Sequence, residues 1–234
     1  MKQAANARFR DEYRQKEIPR RYCAPCHLLF TFAGGLLAIV LMLWQLQQVQ
    51  PLEWLVVPAA LLYANLAEYF GHRFPMHRPF PGLGLIYKRH AGQHHRFFTH
   101  QHMPFDQLRD LCAVLFPPLL VTFFFGGFGV PLWFVLAWLV SDNVAWLALA
   151  SGVLYYLNYE VFHLAYHLPE RHWLARVGLI RRLRWLHAHH HDPAAMTRVN
   201  FNISYPLGDW LFGTLERSPA ATAALAAVPE SRAP

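Results

Sequence analysis

Long uncharged apolar segments are the feature that most restricts how this chain can fold. Residues 28–44, 54–67 and 111–141 contain no Asp, Glu, Lys, Arg or His. A helix rises about 1.5 Å per residue and a bilayer core is about 30 Å thick, so segments of this length and composition predict transmembrane helices. Charged residues make up 15% of the chain, well below the roughly one quarter of ordinary soluble domains. The sequence therefore predicts an all-α integral membrane protein.

Glycine and proline divide the last apolar segment. A glycine-rich run at residues 126–129 precedes Pro131, and this pattern predicts a tight hairpin between spans three and four. A single helix from Pro131 to His167 would be roughly 55 Å long. We therefore expect the fourth helix to extend beyond the membrane, with a kink near residues 141–143 or 151–152. The predicted fold is four transmembrane helices in two hairpins with a cytoplasmic His-rich helical cap.

The basic residues indicate which side of the membrane each loop occupies. All 21 Lys and Arg residues lie before span one, between spans two and three, or after span four. Because short cytoplasmic loops collect basic residues, both termini and the middle loop are predicted to be cytoplasmic. Residues 1–27 then form a basic cytoplasmic segment that contacts anionic lipid headgroups and is not a cleaved signal. Residues 28–217 form the membrane domain, and residues 218–234 are predicted to be a disordered tail.

Two other features of the composition exclude classes of protein. The net charge is +7, but the basic residues bracket apolar segments instead of alternating with exposed aromatic residues, so no nucleic-acid partner is expected. Three cysteines are too few for a disulfide framework, which fits a reducing compartment. Cys23 and Cys26 have no second cysteine pair that would complete a zinc site.

Histidine is the residue type that points to chemistry. The chain has 15 histidines, and all except His27 lie in the two segments predicted to be cytoplasmic after span one. They form the patterns H-x4-H, H-x3-H-H, H-x3-H and H-x2-H-H, in that order. Imidazole is a good ligand for Fe, Zn, Cu and Ni, and one ion takes at most six ligands, so the set favours two ions. The ten candidate ligands are His72, His77, His90, His94, His95, His163, His167, His187, His190 and His191.

The local spacing predicts how two of these clusters fold. His90 and His94 are four residues apart, so they are expected to share a helical face and give two ligands from one helix. Pro75 is expected to end the second helix, which would let His77 turn back towards His72.

Four polar residues near the clusters are candidate supporting groups. Glu68 lies one turn before the first cluster and Glu160 three residues before the third, so either carboxylate is expected to accept a ring N–H. Asn158 is a candidate for holding a metal-bound water. Asp192 follows the fourth cluster and is expected either to orient a ring or to pair with nearby arginines. The polar pair at residues 142–143 falls inside the predicted fourth span, where it indicates either function or a helix contact.

The four clusters in this order, together with the tail Tyr205-Pro-Leu-Gly-Asp-Trp-Leu-Phe-Gly-Thr214, resemble the integral-membrane fatty acid hydroxylase and sterol desaturase superfamily over about residues 60–214. The resemblance implies a non-haem di-iron centre held by the ten histidines, with O2 as co-substrate. It implies oxidation of an unactivated C–H bond in a fatty acyl, sterol-like or isoprenoid lipid taken from the bilayer. Electrons are expected from a separate donor, namely a ferredoxin, a rubredoxin or a cytochrome.

The sequence thus predicts an O2-dependent lipid hydroxylase without catalytic residues beyond the metal ligands. A desaturase built on the same two-iron site is one alternative. A non-enzymatic membrane metal-binding protein is the other. Zinc binds the same kind of ligand without redox chemistry, so a zinc-filled preparation is expected to be folded and inert.

Overall fold

The computed structural model describes residues 2–217, and the predicted disordered tail at 218–234 lies outside the described residues. Within that range the secondary structure is helical apart from an isolated bridge between Thr99 and His102, so the all-α prediction is confirmed. The α-helices are α1 (Lys2–Lys16), α2 (Ala24–Leu29), α3 (Gly35–Trp44), α4 (Val56–Gly71), α5 (Gly84–Tyr87), α6 (His95–Phe97), α7 (Leu111–Val114), α8 (Pro118–Phe124), α9 (Val130–Leu139), α10 (Asp142–Tyr166), α11 (Trp173–Arg176), α12 (Gly178–His190) and α13 (Leu207–Leu211). π-helical segments cover Phe30–Gly34, His72–Met76, Lys88–His94 and Phe125–Gly129, and 3-10 turns cover Pro51–Leu55 and Leu108–Asp110.

Four long helical segments form the body of the protein. They are Ala24–Trp44, residues 51–76, residues 118–139 and α10. α10 lies at the centre, where most of its side chains are buried against the other three segments. Those three expose large apolar side chains on their outer faces, as expected of surfaces that face lipid: Leu36, Leu37, Val40, Leu41, Leu55, Leu62, Leu119, Phe134 and Trp138. Two runs, Ala24–Trp44 and Leu108–Leu139, are long and apolar enough to cross a membrane.

The chain reverses at residues 140–141, so the predicted hairpin at residues 126–129 is wrong. The glycine-rich run is a π-helical turn inside one helical segment from 118 to 139, which is about 33 Å long. Pro131 comes two residues after the end of this π-helical turn, and local π-helical adjustment is one way in which a helix tolerates the missing N–H of proline. In lipid an unpaired backbone group costs several kcal/mol, so a helix continues through glycines that would form a turn in water.

Because the chain reverses at residues 140–141, the fourth helix begins there and is shorter than a helix that starts at Pro131. Ser141 adopts an extended backbone and caps α10, because its side chain accepts a hydrogen bond from the N–H of Val144 at 3.2 Å. α9 and α10 then run antiparallel, with the rings of Trp133 and Trp146 5.0 Å apart. α10 continues without a break to Tyr166.

Polar side chains join the two chain reversals at the end of the bundle opposite the histidines. Asn143 Oδ1 accepts a hydrogen bond from Gln47 N at 3.0 Å, and its Nδ2 donates to Gln47 O at 2.7 Å and to Glu53 Oε2 at 3.0 Å. Ser141 Oγ donates to the same carboxylate. Residues 142–143 therefore lie at the start of the fourth helix and not inside it, and Asn143 makes a helix contact.

The N-terminal segment is part of the folded core. α1 packs Tyr13 edge-on against Phe97, with ring centroids 5.3 Å apart, beside the buried α7. Arg14 donates to Asp110 at 2.8 and 2.9 Å, and Arg10 is 1% exposed. The prediction that this segment serves lipid headgroups is thus wrong for Arg10 and Arg14, because their guanidinium groups bind protein groups.

The structure contains one disulfide, whereas the cysteine content of the sequence favours a reducing compartment. Cys23 and Cys26 are joined by a disulfide at the N-terminus of α2, and Cys112 is free and buried. A single bridge between residues three apart needs only the local turn that begins α2, so it forms without a larger disulfide framework.

We expect Asn143→Ala to lower the stability of the protein by about 0.5–1.5 kcal/mol, because the backbone N–H and C=O of Gln47 in the facing turn lose their partner. Thermal unfolding in detergent measures this as a lower Tm. Gln45→Ala is the control, since Gln45 is exposed in the same turn and its side chain takes no part in the bonds around Asn143. An Asn143→Ala protein with the Tm of the wild type would contradict the assignment.

Candidate metal centre

All ten predicted ligands meet at the end of the bundle where residues 51–76 and α10 terminate. The π-helical segment Lys88–His94, α6 and α12 supply the others. Each of the ten side chains is buried, with at most 8% of its surface exposed. The sequence prediction that the clusters form one constellation agrees with this placement.

The ten imidazoles divide into two groups. Within each group the potential ligand atoms lie within 4.8 Å of one another, the first group being His72, His77, His90, His95 and His190, and the second His94, His163, His167 and His187. His191 lies beside the second group, with its Nε2 3.1 Å from Nε2 of His187, and its ring stacks on His95 of the first group; we assign it to the second group because of this contact with His187. Two nitrogens bound to one ion at about 2.1 Å are at most about 4.2 Å apart, so each group needs only a slight contraction to enclose an ion.

The segment Lys88–His94 supplies ligands to both groups because it is π-helical. His90 and His95, five residues apart, bring their Nε2 atoms to 3.0 Å, whereas His94 faces His163 at 3.2 Å. His90 and His94 do lie side by side as predicted, with stacked rings whose centroids are 5.3 Å apart, but they serve different groups. A π-helix widens the turn, so the residue at i+5 replaces the residue at i+4.

α12 divides its histidines in the same way. Nε2 of His190 faces Nε2 of His77 at 2.9 Å, while His187 faces His167 at 3.2 Å. Each of the two motifs that contain adjacent histidines thus contributes to both groups.

A second π-helical turn, His72–Met76, positions the first cluster. Pro75 lies inside this turn, so it does not end the helix as predicted. The chain leaves the helix after Met76, and the rings of His72 and His77 come within 4.9 Å of each other. The approach of these two rings agrees with the prediction, but the backbone reaches it through a wider turn.

Backbone carbonyls fix the orientation of five rings. A carbonyl oxygen only accepts hydrogen bonds, so the ring nitrogen facing it carries the proton, and the other nitrogen of a neutral imidazole then holds a lone pair. In each case Nδ1 donates and Nε2 points into a group. The bonds run from His72 to Phe201 O, from His94 to Ala113 O at 2.8 Å, from His167 to Met103 O at 2.8 Å, from His190 to Val199 O at 2.8 Å and from His191 to Phe98 O at 2.6 Å.

Burial keeps these imidazoles neutral. Desolvation is the main cause that lowers the pKa of His94 and of His190 to about 4, and that of His77 to about 2. At neutral pH the Nε2 atoms are therefore lone-pair donors. Such donors directed at one another across 2.8–3.2 Å fit a bound cation.

The donor set indicates which ions fit. The first group offers five imidazole nitrogens and the second offers four, with a fifth from the adjacent His191. Imidazole suits Fe, Zn, Cu and Ni and not Mg or Ca. Five donors leave one position of a six-coordinate ion for an external ligand. The site can therefore hold two transition-metal ions that remain open to a small molecule.

Glu68 supports the centre through the chain and not through a ring. Its carboxylate accepts hydrogen bonds from Tyr155 Oη at 2.5 Å and from Ser204 N at 3.0 Å. The N–H of His72 goes to the carbonyl of Phe201, which takes the place predicted for Glu68. Glu68 thus anchors the segment that follows this carbonyl.

The other three predicted supporting residues also have contacts of their own. Glu160 accepts hydrogen bonds from Phe116 N at 3.0 Å and Tyr156 Oη at 2.9 Å. Asn158 Oδ1 accepts a hydrogen bond from Tyr205 Oη at 3.2 Å, and Asp192 accepts one from a backbone N–H two residues ahead at 2.9 Å. Their proposed roles toward a metal stay predictions.

A buried hydrogen-bond network around Asp209 was not identified from the sequence. Its carboxylate accepts hydrogen bonds from Phe201 N at 2.9 Å and Asn202 N at 2.7 Å, and thereby fixes the carbonyl that orients His72. Gly208 is required beside it, because an added Cβ would stand 2.7 Å from Tyr69. Asp209 lies in the tail motif at residues 205–214, so the sequence contains it, but its role depends on tertiary contacts that residue spacing does not show.

A cavity of about 50 Å³ adjoins both groups. Its lining includes His90, His94 and His163, together with the apolar side chains of residues 114–117 and Leu120. Residues 114–117 lead directly into the segment 118–139, which contributes Leu120. The cavity therefore connects the metal ligands with the apolar body of the protein.

Comparison with known proteins agrees with this geometry. The family model described as "Fatty acid hydroxylase" matches residues 57–214. A fatty acid 2-hydroxylase from Macaca fascicularis is 31% identical over 155 residues, and one from Rattus norvegicus 29% over 159 residues, which is 64% and 66% of this chain but only 37% and 38% of those proteins. A solved structure described as full-length scs7p, with only its hydroxylase domain visible, has a similar fold, with a TM-score of 0.55 and 20% identity over 81% of this chain and 65% of that one.

Asp209→Asn is expected to weaken the first group, because the new amide N–H meets two backbone N–H donors and releases the Phe201 carbonyl from His72. We predict a lower Tm and less bound metal per chain, measured by elemental mass spectrometry of purified protein incubated with zinc. Arg217→Gln, an exposed change in the same segment, is the control. Wild-type metal content and Tm in Asp209→Asn would show that the hydrogen-bond network around Asp209 does not support the first histidine group.

Proposed function

The chain belongs to the fatty acid hydroxylase family, and from that premise we propose that it is an O2-dependent oxidoreductase that hydroxylates a C–H bond of a lipid at a two-iron centre. The observation that carries the proposal is the pair of buried five-imidazole groups, with neutral Nε2 lone pairs directed inward. The proposed iron ligands are the ten histidines of these groups.

Iron is proposed over zinc on chemical grounds. Bound iron, given O2 and two electrons, supplies the oxidising power that an unactivated C–H bond requires, and zinc has no redox chemistry. Zinc would occupy the same nitrogens and maintain the fold. The electrons would come from a ferredoxin, a rubredoxin or a cytochrome.

The residues of this chain would bind the lipid and exclude water. The apolar cavity lining at residues 114–117 leads directly into the segment 118–139, so a chain taken from the bilayer would approach the imidazoles along apolar side chains. Glu160 holds this lining through the N–H of Phe116. A fatty acyl chain is the preferred substrate class, because the matched relatives are fatty acid 2-hydroxylases. The chain spans less than two fifths of their length, so this transfer is part of the proposal.

We further propose that all four long segments cross the membrane and that the histidine end is cytoplasmic. The turns at residues 45–50 and 140–141 contain no Lys or Arg, whereas the loops at the histidine end contain many. The lipid-facing apolar side chains on the outer three segments support the same arrangement.

Lipid mass spectrometry under 18O2 tests the reaction. Cells that contain the wild-type protein and a suitable electron donor are expected to accumulate a lipid with one 18O atom. His94→Ala and His190→Ala, each removing one ligand from a different group, should abolish the labelled product at equal membrane expression.

The same experiment separates the alternatives. Loss of two hydrogens without label would identify a desaturase on this site. An unchanged lipid profile, with the donor shown to be present, would contradict oxidative chemistry and favour a membrane metal-binding protein.

Cysteine labelling tests the topology. Gln48→Cys, in the outer turn, is expected to react with a membrane-impermeant maleimide in intact cells, whereas Arg181→Cys should react only after lysis. The wild type gives the background from the native cysteines. Labelling of Arg181→Cys in intact cells would overturn the proposed orientation.

A further inference from the structure

A short loop from Phe98 to Phe105 orients two ligands of the second group. The carbonyl of Phe98 accepts Nδ1–H of His191 at 2.6 Å, and the carbonyl of Met103 accepts Nδ1–H of His167 at 2.8 Å. The backbone N–H of Phe105 donates to the carbonyl of His167 at 3.0 Å, and the Phe98 ring lies 4.1 Å from the His167 ring. The position of this loop therefore determines the direction of two metal-facing lone pairs.

The loop has little secondary structure to hold its shape. Thr99 and His102 exchange two backbone hydrogen bonds at 2.8 and 3.3 Å, and this isolated bridge is its regular element. Pro104 has no backbone N–H to contribute. Contacts from outside must fix the two carbonyls.

Arg10 of α1 supplies such contacts. Its Nη2 donates to the carbonyl of Pro104 at 2.7 Å, and its Nη1 lies 2.7 Å from Nε2 of His102. The guanidinium stacks over Phe97, 4.5 Å from the ring centroid, and also lies 5.5 Å from the ring of Phe98. One buried side chain thus touches the loop at both of its ends.

The second arginine of α1 has a different task. Arg14 binds Asp110 and Asp106. Asp106 is shared, because it also lies 3.5 Å from Arg10 and 3.3 Å from His102. Arg14 makes no hydrogen bond to Phe98, Met103 or Pro104, so it reaches the loop only through Asp106, whereas Arg10 contacts the loop directly.

We propose that Arg10 is a positioning residue for the second histidine group: by holding the loop 98–105, it keeps the carbonyls of Phe98 and Met103 against His191 and His167. The inference rests on the two-metal centre proposed above. Arg10 lies outside residues 57–214, so the inference gives the N-terminal helix a role in metal binding that the family match does not contain. Lysine cannot replace it fully, because its single ammonium lacks the planar fork that reaches Pro104 and His102 together.

Release of zinc to a chelating indicator tests the proposal without depending on catalysis. Detergent-purified protein is loaded with zinc, and the number of ions and their release rates are measured. His77→Ala and His191→Ala identify which release phase belongs to the first and which to the second group. Removing a partner that orients a ligand typically weakens metal binding about 10- to 100-fold.

We expect Arg10→Gln to accelerate release from the second group about 10- to 100-fold, with release from the first group unchanged. Arg10→Lys should give a smaller effect on the same phase, and it decides the question if Arg10→Gln does not fold. Arg14→Gln, the matched control on α1, should retain wild-type release from both groups.

Each other outcome contradicts the proposal. Wild-type release in both Arg10 variants would show that Arg10 does not position the second group, and equal acceleration of both phases, or the same effect in Arg14→Gln, would show that docking of α1 is responsible. A wild-type protein that binds neither zinc nor iron would overturn the two-metal centre itself, whereas two tightly bound ions with unaffected Arg10 variants would overturn this inference alone.

Discussion

The hydrogen bond from an imidazole Nδ1–H to a backbone carbonyl is the interaction on which the rest of this structure depends. Five such bonds turn the Nε2 lone pairs inward, and the carbonyls come from segments far apart in sequence, such as Phe98, Ala113 and Phe201. The segments that carry two of these carbonyls are held in turn, because Arg10 of α1 binds the loop after Phe98 and Asp209 binds the N–H groups of Phe201 and Asn202. The bundle thus serves to place main-chain oxygens as well as histidines.

The sequence predicts the metal-binding residues of the site better than the hydrogen bonds that orient them. Apolar segments, the one-sided distribution of basic residues and the four histidine patterns are local signals, and they suffice to predict an all-α chain and the ten residues that meet. The partners of the rings are not local. Glu68 lies one turn before His72, yet the acceptor for that ring is a carbonyl at position 201, which only the tertiary fold brings near.

Several of the incorrect predictions share a physical cause, which is that π-helical turns change the spacing rules that hold for regular helices. Glycines at 126–129 form a π-helical turn within one helical segment, as expected where no water is available to bind a released backbone group. Pro75 continues in a widened turn, and the spacing that pairs His90 with His95 is five instead of four. Standard periodicity assumes 3.6 residues per turn, so it assigns the right residues to the wrong partners.

Interleaving of the two groups along the chain has a thermodynamic consequence. The segment Lys88–His94 with His95, and likewise the end of α12, each hold ligands for both ions. Ordering either segment around one ion removes backbone freedom that the other ion would otherwise have to restrict, so the entropic penalty falls mainly on whichever ion arrives first. Two bound ions would therefore be coupled through shared backbone, so that binding of either ion favours binding of the other, while the imidazoles particular to each group set how fast its own ion leaves.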